Sequence, residues 1–156
     1  MTIRPATSAD LPTLGRLGAL LMRVHHDFDR ARFLAPGNDS EAGYAWFLGT
    51  QMADRDCVVL VAEHDGSVIG YVYAGVEPLS WKELRHEAGF VHDLVVDPAS
   101  RGLGAGTALL RSAIDWLRAR GMPRVVLWTA EQNAAAQHLF ARAAFRRTMA
   151  EMTLEL

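Results

Sequence analysis

The stretch L-V-V-D-P-A-S-R-G-L-G-A-G-T-A-L-L, Leu94 to Leu110, is the most informative part of this sequence. In it an apolar strand ends at Asp97–Pro98, and a glycine-rich turn leads directly into a helix. Glycines let the backbone approach a ligand closely and adopt conformations that a Cβ atom forbids. The first N–H groups of a helix are free and lie at the positive end of its dipole, so they bind phosphate well. With Arg101 as a further donor at the same place, the stretch predicts a phosphate-binding site.

Two common nucleotide-binding motifs do not fit this turn. The Rossmann fingerprint G-x-G-x-x-G fails, because its last position falls on Thr107 when counted from Gly102 and on Leu109 when counted from Gly104. A Walker loop needs a lysine followed by Ser or Thr, and the turn has no such lysine. The predicted phosphate site therefore belongs to another class of ligand.

The spacing that is present is R-x-x-G-x-G, at Arg101, Gly104 and Gly106. It resembles the pyrophosphate-binding motif of the GNAT superfamily of acyl-CoA-dependent N-acyltransferases. The resemblance includes the upstream strand with its V-D-P ending. Downstream, the family's Asn, Ala, aromatic residue and final Phe correspond to Asn133, Ala136, Phe140 and Phe145. The resemblance covers nearly the whole chain and implies one GNAT-like N-acetyltransferase domain over residues 1–156.

Apolar periodicity and turn signals predict the order β-α-α-β-β-β-α-β-α-β, which is an α/β fold with a mixed (α+β) sheet. We predict an N-cap for the first helix at Asp10. The second helix is predicted to start near Asn38, with Glu41 completing a capping box, and to end near Met52. The turn signal H-D-G-S, His64–Ser67, predicts a hairpin between two strands.

Two further segments carry local signals. Ser80 and Glu83 have the spacing of a capping box, which predicts a short helix within Glu77–Ala88. The segment Arg146–Leu156 is predicted to form one or two terminal strands. Three aromatic side chains are assigned to the core: Trp116, Trp128 and Phe145.

Composition narrows the class of protein. Its 16 basic and 18 acidic residues give a formal charge of −2, which argues against a nucleic-acid partner because such binding needs a basic excess. The lone Cys57 forms no internal disulfide and suits a reducing compartment. The first residues lack the apolar core of a signal peptide, and no apolar run reaches the length of a membrane helix. We expect a soluble cytoplasmic domain with no membrane partner.

The resemblance implies acetyl-CoA as co-substrate, no metal, and a homodimer. Backbone amides around Leu94, Val95 and Val96 would hold the pantetheine arm and polarise the acetyl carbonyl, as preorganised donors do in an oxyanion hole. Asn133 would contact the pantetheine or the far arm of the cofactor. The pyrophosphate would be held by Arg101, Gly102, Leu103, Gly104, Ala105, Gly106 and Thr107.

The attacking amine must be neutral, although a free alkylamine has a pKa of about 10, so a base has to remove its proton. His92 precedes Leu94 on the strand where the family often places its base, and an unperturbed imidazole pKa of about 6.5 suits neutral pH. Asp93, Glu77 and Glu87 remain alternatives, and a buried histidine bonded to a backbone carbonyl is the structural alternative. Strict strand alternation puts His92 with Leu94 and Val96, and Asp93 with Val91 and Val95.

Two positions depart from the family pattern. Phe140 stands where the family usually has a Tyr that is credited with protonating the leaving thiolate, so water or another residue must supply that proton. A coenzyme A thiol, with a pKa of about 8–9, also leaves without full protonation. Ala144 replaces the usual Gly before the last Phe, which we interpret as a packing variation.

His25 and His26, followed by Asp27 and Asp29, have residue types that bind metals. No Cys or His stands at a useful spacing nearby, so we interpret the group as a solvated connector and predict no metal site. Asp27 and Asp29 are also candidates for attracting a cationic amine.

The function that follows from the resemblance is transfer of acetyl from acetyl-CoA to a primary amine by direct attack in a ternary complex. A small-molecule acceptor is favoured because no basic or apolar groove for a peptide can be identified from the sequence. Two alternatives remain. One is a protein or peptide N-terminal acetyltransferase, and the other is a non-catalytic acyl-CoA-binding sensor, which Phe140 keeps open.

Overall fold

The computed structural model describes residues 1–156 and contains a five-stranded sheet with strand order β1-β2-β3-β4-β5. The strands are β1 (Thr2–Pro5), β2 (Cys57–His64), β3 (Ser67–Glu77), β4 (Ala88–Val96) and β5 (Val125–Leu127). The helices are α1 (Leu11–Phe28), α2 (Ser40–Met52), α3 (Ala105–Ala119) and α4 (Ala134–Arg142). The predicted mixed α/β fold is confirmed, and the predicted element order holds as far as α4.

The sheet is antiparallel from β1 to β4, and only β5 pairs in parallel, with β4. The predicted hairpin of β2 and β3 is confirmed. Its turn consists of Asp65 and Gly66, with φ values of 48° and 74°. Two successive residues with positive φ are the geometry that two-residue hairpin turns favour, because it matches the twist of the strands.

Each face of the sheet has its own apolar core. On one face α1 and α2 bury a cluster that includes Leu14, Leu17 and Leu48. On the other face α3 buries a second cluster that includes Leu109 and Leu117. The helical spacing of the leucines on α1 and α3 is the pattern that predicted these two helices. None of the helices is both long and apolar enough to cross a membrane.

The two helices on the first face cross closely because α1 has glycines at the contact. A Cβ atom on Gly15 would lie 2.3 Å from the carbonyl oxygen of Glu41, and one on Gly18 would lie 2.0 Å from the ring of Tyr44. Such distances are too short for any other residue. Gly18 therefore makes the space in which the ring of Tyr44 packs against α1.

Asp10 joins β1 to the start of α1. Its carboxylate accepts hydrogen bonds from Arg4 at 2.8 and 3.0 Å, and from the backbone N–H of Thr7 at 2.7 Å. The hydrogen bonds from Arg4 outweigh the effect of burial and lower the pKa of Asp10 to about 2. The N-cap position predicted at Asp10 is confirmed, but its side chain bonds backwards to β1 and the preceding turn rather than forwards into α1.

The helix predicted within Glu77–Ala88 is wrong. Strands β3 and β4 stay paired out to Glu77 and Ala88, and residues 78–87 form an irregular loop. The predicted contact between the two capping residues is nevertheless present, because the Ser80 hydroxyl accepts the N–H of Glu83 at 3.3 Å. Ser80 also forms an isolated antiparallel bridge with Arg85. The paired ends of β3 and β4 require these residues to reverse the direction of the chain, and the capping residues stabilise a turn in that loop.

The terminal strands predicted in Arg146–Leu156 are also wrong. This segment forms no regular element and follows the surface, with Met152 93% exposed. Its side chains contact the rest of the protein through an ion pair of Glu151 with Arg32 and a hydrogen bond from Arg147 to the side chain of Gln137. A strand needs a partner edge as well as an alternating pattern, and here the segment pairs with none.

Candidate functional site

Strand β4 contains a bulge at His92. Tyr73 of β3 pairs with Asp93, whereas the next residue, Ala74, pairs with Val91, so His92 has no partner. One extra residue reverses the faces of everything that follows it. The predicted alternation is therefore wrong for His92, which does not share a face with Leu94 and Val96.

The packing on the two faces confirms the effect of the bulge. Val91 packs with Leu94 and Val96 in the core under α3, whereas Val95 packs in the core under α1 and α2. Asp93 shares the face of Val95, as predicted, but not that of Val91. His92 stacks on Tyr73 of the α1/α2 core. The bulge thus turns His92 and Asp93 towards the same side of the sheet.

Strands β4 and β5 separate where the bulge begins. Their pairing ends at Val91 and Leu127, so the following part of β4 has no strand beside it. The N–H of Asp97 donates to Ile69 on β3 at 2.8 Å. Since backbone groups alternate in direction along a strand, the amides of Leu94 and Val96 point away from β3 and into the gap. The amide of Val95 points to β3.

The gap opens into a cleft of about 480 Å³ between α1, the loop after it, α2, β4, β5 and α4. Four of the predicted site residues line this cleft: His92, Asp93, Leu94 and Asn133. Phe140 also lines it, and Glu87 is exposed outside it. The remaining predicted residues belong to the glycine-rich turn at the start of α3 or to the neighbouring end of β4.

His92 lies between two aromatic rings at the bulge. Its ring stacks on Tyr73 at 4.7 Å and on Phe90 at 5.2 Å, and its side chain is 28% exposed. Burial lowers the pKa of His92, although the nearby carboxylates of Glu77 and Asp93 act in the opposite direction. The imidazole is therefore neutral at pH 7 and able to accept a proton.

The carboxylate of Asp93 is partly buried and is bound by two tyrosines. Tyr44 of α2 donates to Oδ2 at 3.0 Å, and Tyr71 of β3 donates to the same atom at 2.9 Å. Burial raises the pKa of Asp93, and the two hydroxyls only partly offset this effect. Because both donors use Oδ2, the second oxygen is left for a group in the cleft. Sequence reasoning missed both tyrosines, since no local pattern links them to Asp93.

The glycine-rich turn has the geometry that phosphate binding requires. Gly102 and Gly104 have φ values of 85° and 80°, and Gly104 is the N-cap of α3. None of the backbone N–H groups of residues 102–107 donates to another backbone group. A run of free N–H groups at a helix N-terminus fits an anion such as the pyrophosphate of coenzyme A.

Asn133 and Phe140 position α4 at the cleft. The side-chain oxygen of Asn133 caps α4 by accepting the N–H of Ala136 at 3.1 Å, which leaves its amide nitrogen as a donor. Phe140 is 9% exposed and makes an edge contact with Phe145 at 5.9 Å. Phe140 has no hydroxyl, so it cannot act as the proton donor that the family's Tyr provides at this position.

The histidines of the α1 connector bind backbone carbonyls. His25 Nδ1 lies 2.9 Å from the oxygen of Leu21, and His26 Nδ1 lies 3.2 Å from the oxygen of Phe33. These contacts fix the orientation of both rings through their Nδ1 atoms.

The core prediction for Trp128 is wrong. Trp128 is 73% exposed, makes an edge contact with Phe90 at 5.7 Å, and lines the cleft. It comes directly after β5, where the two strands have separated and no core remains to receive it. Trp116 and Phe145 are partly buried against the core under α3.

Comparisons with known proteins agree with this geometry. The model of the Acetyltransferase (GNAT) family matches residues 21–145. An uncharacterised N-acetyltransferase of Archaeoglobus fulgidus is 31% identical over 94% of both chains. An L-2,4-diaminobutyric acid acetyltransferase of Nocardia farcinica is 30% identical over 85% of this chain and 67% of its own. A mycothiol acetyltransferase of Cellulomonas flavigena is 38% identical over 60% of this chain, which spans only 28% of that relative.

Solved structures share the fold at lower identity. An aminoglycoside antibiotic 6′-N-acetyltransferase of Acinetobacter haemolyticus superimposes with a TM-score of 0.76 at 22% identity, covering 100% of this chain and 98% of its own. A predicted acetyltransferase of Clostridium acetobutylicum, solved with acetyl-CoA, superimposes with a TM-score of 0.74 at 15% identity, covering 99% of this chain and 95% of its own. The separated strands and the free N–H groups before α3 agree with these similarities. Because the family model matches residues 21–145, the chain belongs to the GNAT family of acetyltransferases.

Proposed function

We propose that this protein is an acetyl-CoA-dependent N-acetyltransferase that acts on the primary amine of a small molecule. The observation that carries the proposal is the gap between β4 and β5. It runs from the free N–H groups before α3 to the cleft that contains His92 and Asp93. A thioester lying in this gap would have its phosphates at one end and its acetyl group at the other.

The residues present fit such a co-substrate. The free N–H groups of residues 102–107, with Arg101, would bind the pyrophosphate. The amides of Leu94 and Val96 face the gap and would hold the pantetheine arm and polarise the acetyl carbonyl. Asn133 would donate its amide N–H to the same arm. The amide of Val95 faces β3 instead, and this pairing keeps the amides of Leu94 and Val96 directed into the gap.

An amine that arrives as an ammonium group must lose two protons, one before and one after its nitrogen attacks. His92 accepts the first proton, the neutral nitrogen attacks the carbonyl carbon, a C–N bond forms, and the C–S bond then breaks to release the thiolate. The second proton, which the nitrogen loses after the attack, goes to the departing thiolate directly or through solvent, and the protonated His92 returns its proton to solvent. No acid at Phe140 is required, because a thiol of pKa about 8–9 is an adequate leaving group.

Asp93 supports an amine as the acceptor. A partly buried carboxylate with one oxygen free attracts an ammonium group, and the cleft around it is of small-molecule size. The similarity to the diaminobutyric acid acetyltransferase agrees with this, since a diamino acid carries two amines. Asp93 would bind the incoming ammonium, and the neutral His92 beside it would take the proton.

The test is release of thiol from acetyl-CoA over a panel of amines: diamino acids, polyamines, aminoglycosides and peptides with free N-termini. Turnover on a small amine supports the proposal, and the variant His92→Ala should then lose about 100-fold in kcat with little change in acetyl-CoA affinity. Turnover on peptides alone would favour the N-terminal acetyltransferase. Tight binding of acetyl-CoA without turnover on any amine would favour a sensor.

The family resemblance and the single Cys57 also lead us to propose a cytoplasmic homodimer. Light scattering on the purified full chain measures the mass in solution. A monomer at micromolar concentration would overturn the dimer without affecting the proposed chemistry, because every residue of the candidate site comes from one chain.

A further inference from the structure

Glu77, at the end of β3, lies beside the candidate base. Its Oε1 is 3.1 Å from Nε2 of His92, and its side chain is 38% exposed. The contact depends on the bulge, because His92 has no partner on β3 and its ring turns towards the last residues of that strand.

We propose that Glu77 is a positioning residue that fixes the tautomer and orientation of His92 for proton transfer, an inference that rests on the proposed function. A carboxylate oxygen repels a nitrogen lone pair at this distance, so Nε2 must carry the hydrogen. The lone pair then lies on Nδ1, which becomes the atom that accepts the proton of the amine. The rings of Tyr73 and Phe90 hold the imidazole plane, and Glu77 determines which edge carries the proton.

The charge of Glu77 has a second effect. When His92 takes up a proton, the carboxylate stabilises the imidazolium that forms, and it therefore opposes the burial that weakens His92 as a base. Other titratable or charged groups also surround the ring. Asp93 acts in the same direction as Glu77, Tyr73 is stacked on the ring, Cys57 lies within 3.8 Å of the Tyr73 hydroxyl, and Arg85 lies over Phe90.

The first measurement does not require turnover. NMR with labelled histidine reports the tautomer and the titration midpoint of His92 in the wild type and in the Glu77→Gln variant. We expect the Nε2–H tautomer in the wild type. In Glu77→Gln we expect a mixture of tautomers and a midpoint at lower pH, because the charge that raises the pKa of His92 has been removed. An unchanged tautomer and midpoint would overturn the inference.

The second measurement is kinetic. Glu77→Gln should lower kcat about tenfold, a part of the 10²–10⁴-fold that a general base contributes, and should move the acid limb of the pH–rate profile to lower pH. The KM for acetyl-CoA should not change. Glu155→Gln removes the same charge from an exposed side chain near the C-terminus, outside the cleft, and should match the wild type in all three quantities.

A double variant separates positioning from other roles. If Glu77 acts through His92, then Glu77→Gln should have no further effect on the residual rate of His92→Ala. An equal tenfold loss in that background would overturn the inference, since Glu77 would then act independently of His92. If the wild-type protein has the expected tautomer but acetylates no amine, the proposed function is overturned. The NMR result distinguishes this failure from a failure of the inference about Glu77.

Discussion

The hydroxyl of Tyr44 on α2 donates to Oδ2 of Asp93 on β4 at 3.0 Å, and it connects the helical wall of the cleft to the strand that carries the candidate base. The connection is possible because Gly18 on α1 leaves space for the tyrosine ring. Tyr71 donates to the same oxygen from β3. Asp93 is thus held from two directions, which fixes its position relative to His92.

Removing this connection should destabilise the fold. Tyr44→Phe deletes one hydrogen bond to a partly buried carboxylate, and we expect a loss of about 2 kcal/mol in the free energy of unfolding, measured in urea at pH 7. Tyr73→Phe is the matched control, because its hydroxyl donates to the neutral side chain of Gln51 at 2.8 Å. That variant should lose about 1 kcal/mol. Equal losses would mean that the charge of Asp93 contributes nothing to the bond.

The fold was largely predictable because its elements depend on local patterns. Apolar spacing identified α1 and α3, and the Asp65–Gly66 turn identified the hairpin of β2 and β3. The errors arose where partners distant in the chain decide the outcome. Pairing of β3 with β4 overrides the capping signal at Ser80, and the alternating pattern after Arg146 has no strand edge to join.

The site was predictable only in part, for a similar reason. The glycine-rich turn and the adjacent His92 and Asp93 can be read directly from the sequence. Their surroundings cannot, because Tyr44 is 49 residues from Asp93 and the bulge that turns His92 out of alternation appears only in the pairing register. Trp128 was assigned to the core because the sequence does not reveal where β4 and β5 separate.

The glycine-rich turn gives a prediction about cofactor binding. Gly104→Val places a branched side chain at a φ of 80° beside the free N–H groups. We expect coenzyme A affinity to fall at least about tenfold, which corresponds to losing one charge-assisted hydrogen bond. Isothermal titration calorimetry with coenzyme A measures this.

The control for Gly104→Val is Gly121→Val. Gly121 follows the other end of α3 and has a similar φ of 75°, and a Cβ atom at either glycine would contact nothing within 4 Å. The control should therefore match the backbone strain of Gly104→Val but keep the affinity of the wild type. A comparable loss of affinity in Gly121→Val would show that the loss comes from strain in α3 and not from the turn.

Asp10 predicts how stability depends on pH. Its pKa is about 2 in the folded protein, held down by Arg4, and about 4 in an unfolded chain. The stabilisation is therefore complete above about pH 4 and is lost as the pH falls towards about 2. Asp10→Asn should lower the free energy of unfolding by about 1–2 kcal/mol at pH 7 and by almost nothing near pH 2. Urea unfolding across this range tests it, and a difference independent of pH would contradict the charge effect.

Ala144 gives a prediction of increased stability. The substitution of the usual family Gly is not a simple packing variation, because Ala144 follows α4 with a φ of 66°, in the left-handed region. The N–H of Phe145 donates to the carbonyl of Phe140 at 3.0 Å, which closes the helix end around that conformation. An L-residue pays about 1–2 kcal/mol in this region, whereas glycine does not.

We therefore expect Ala144→Gly to raise the free energy of unfolding by about 1 kcal/mol, after the greater backbone freedom of glycine in the unfolded chain is subtracted. The matched control is Ala143→Gly. Ala143 has a φ of −88°, so glycine relieves no strain there and only adds unfolded-state entropy. Urea unfolding of both variants should thus give changes of opposite sign. A loss of stability in Ala144→Gly would mean that the left-handed residue causes no strain, and that the methyl group of Ala144 contributes more through packing.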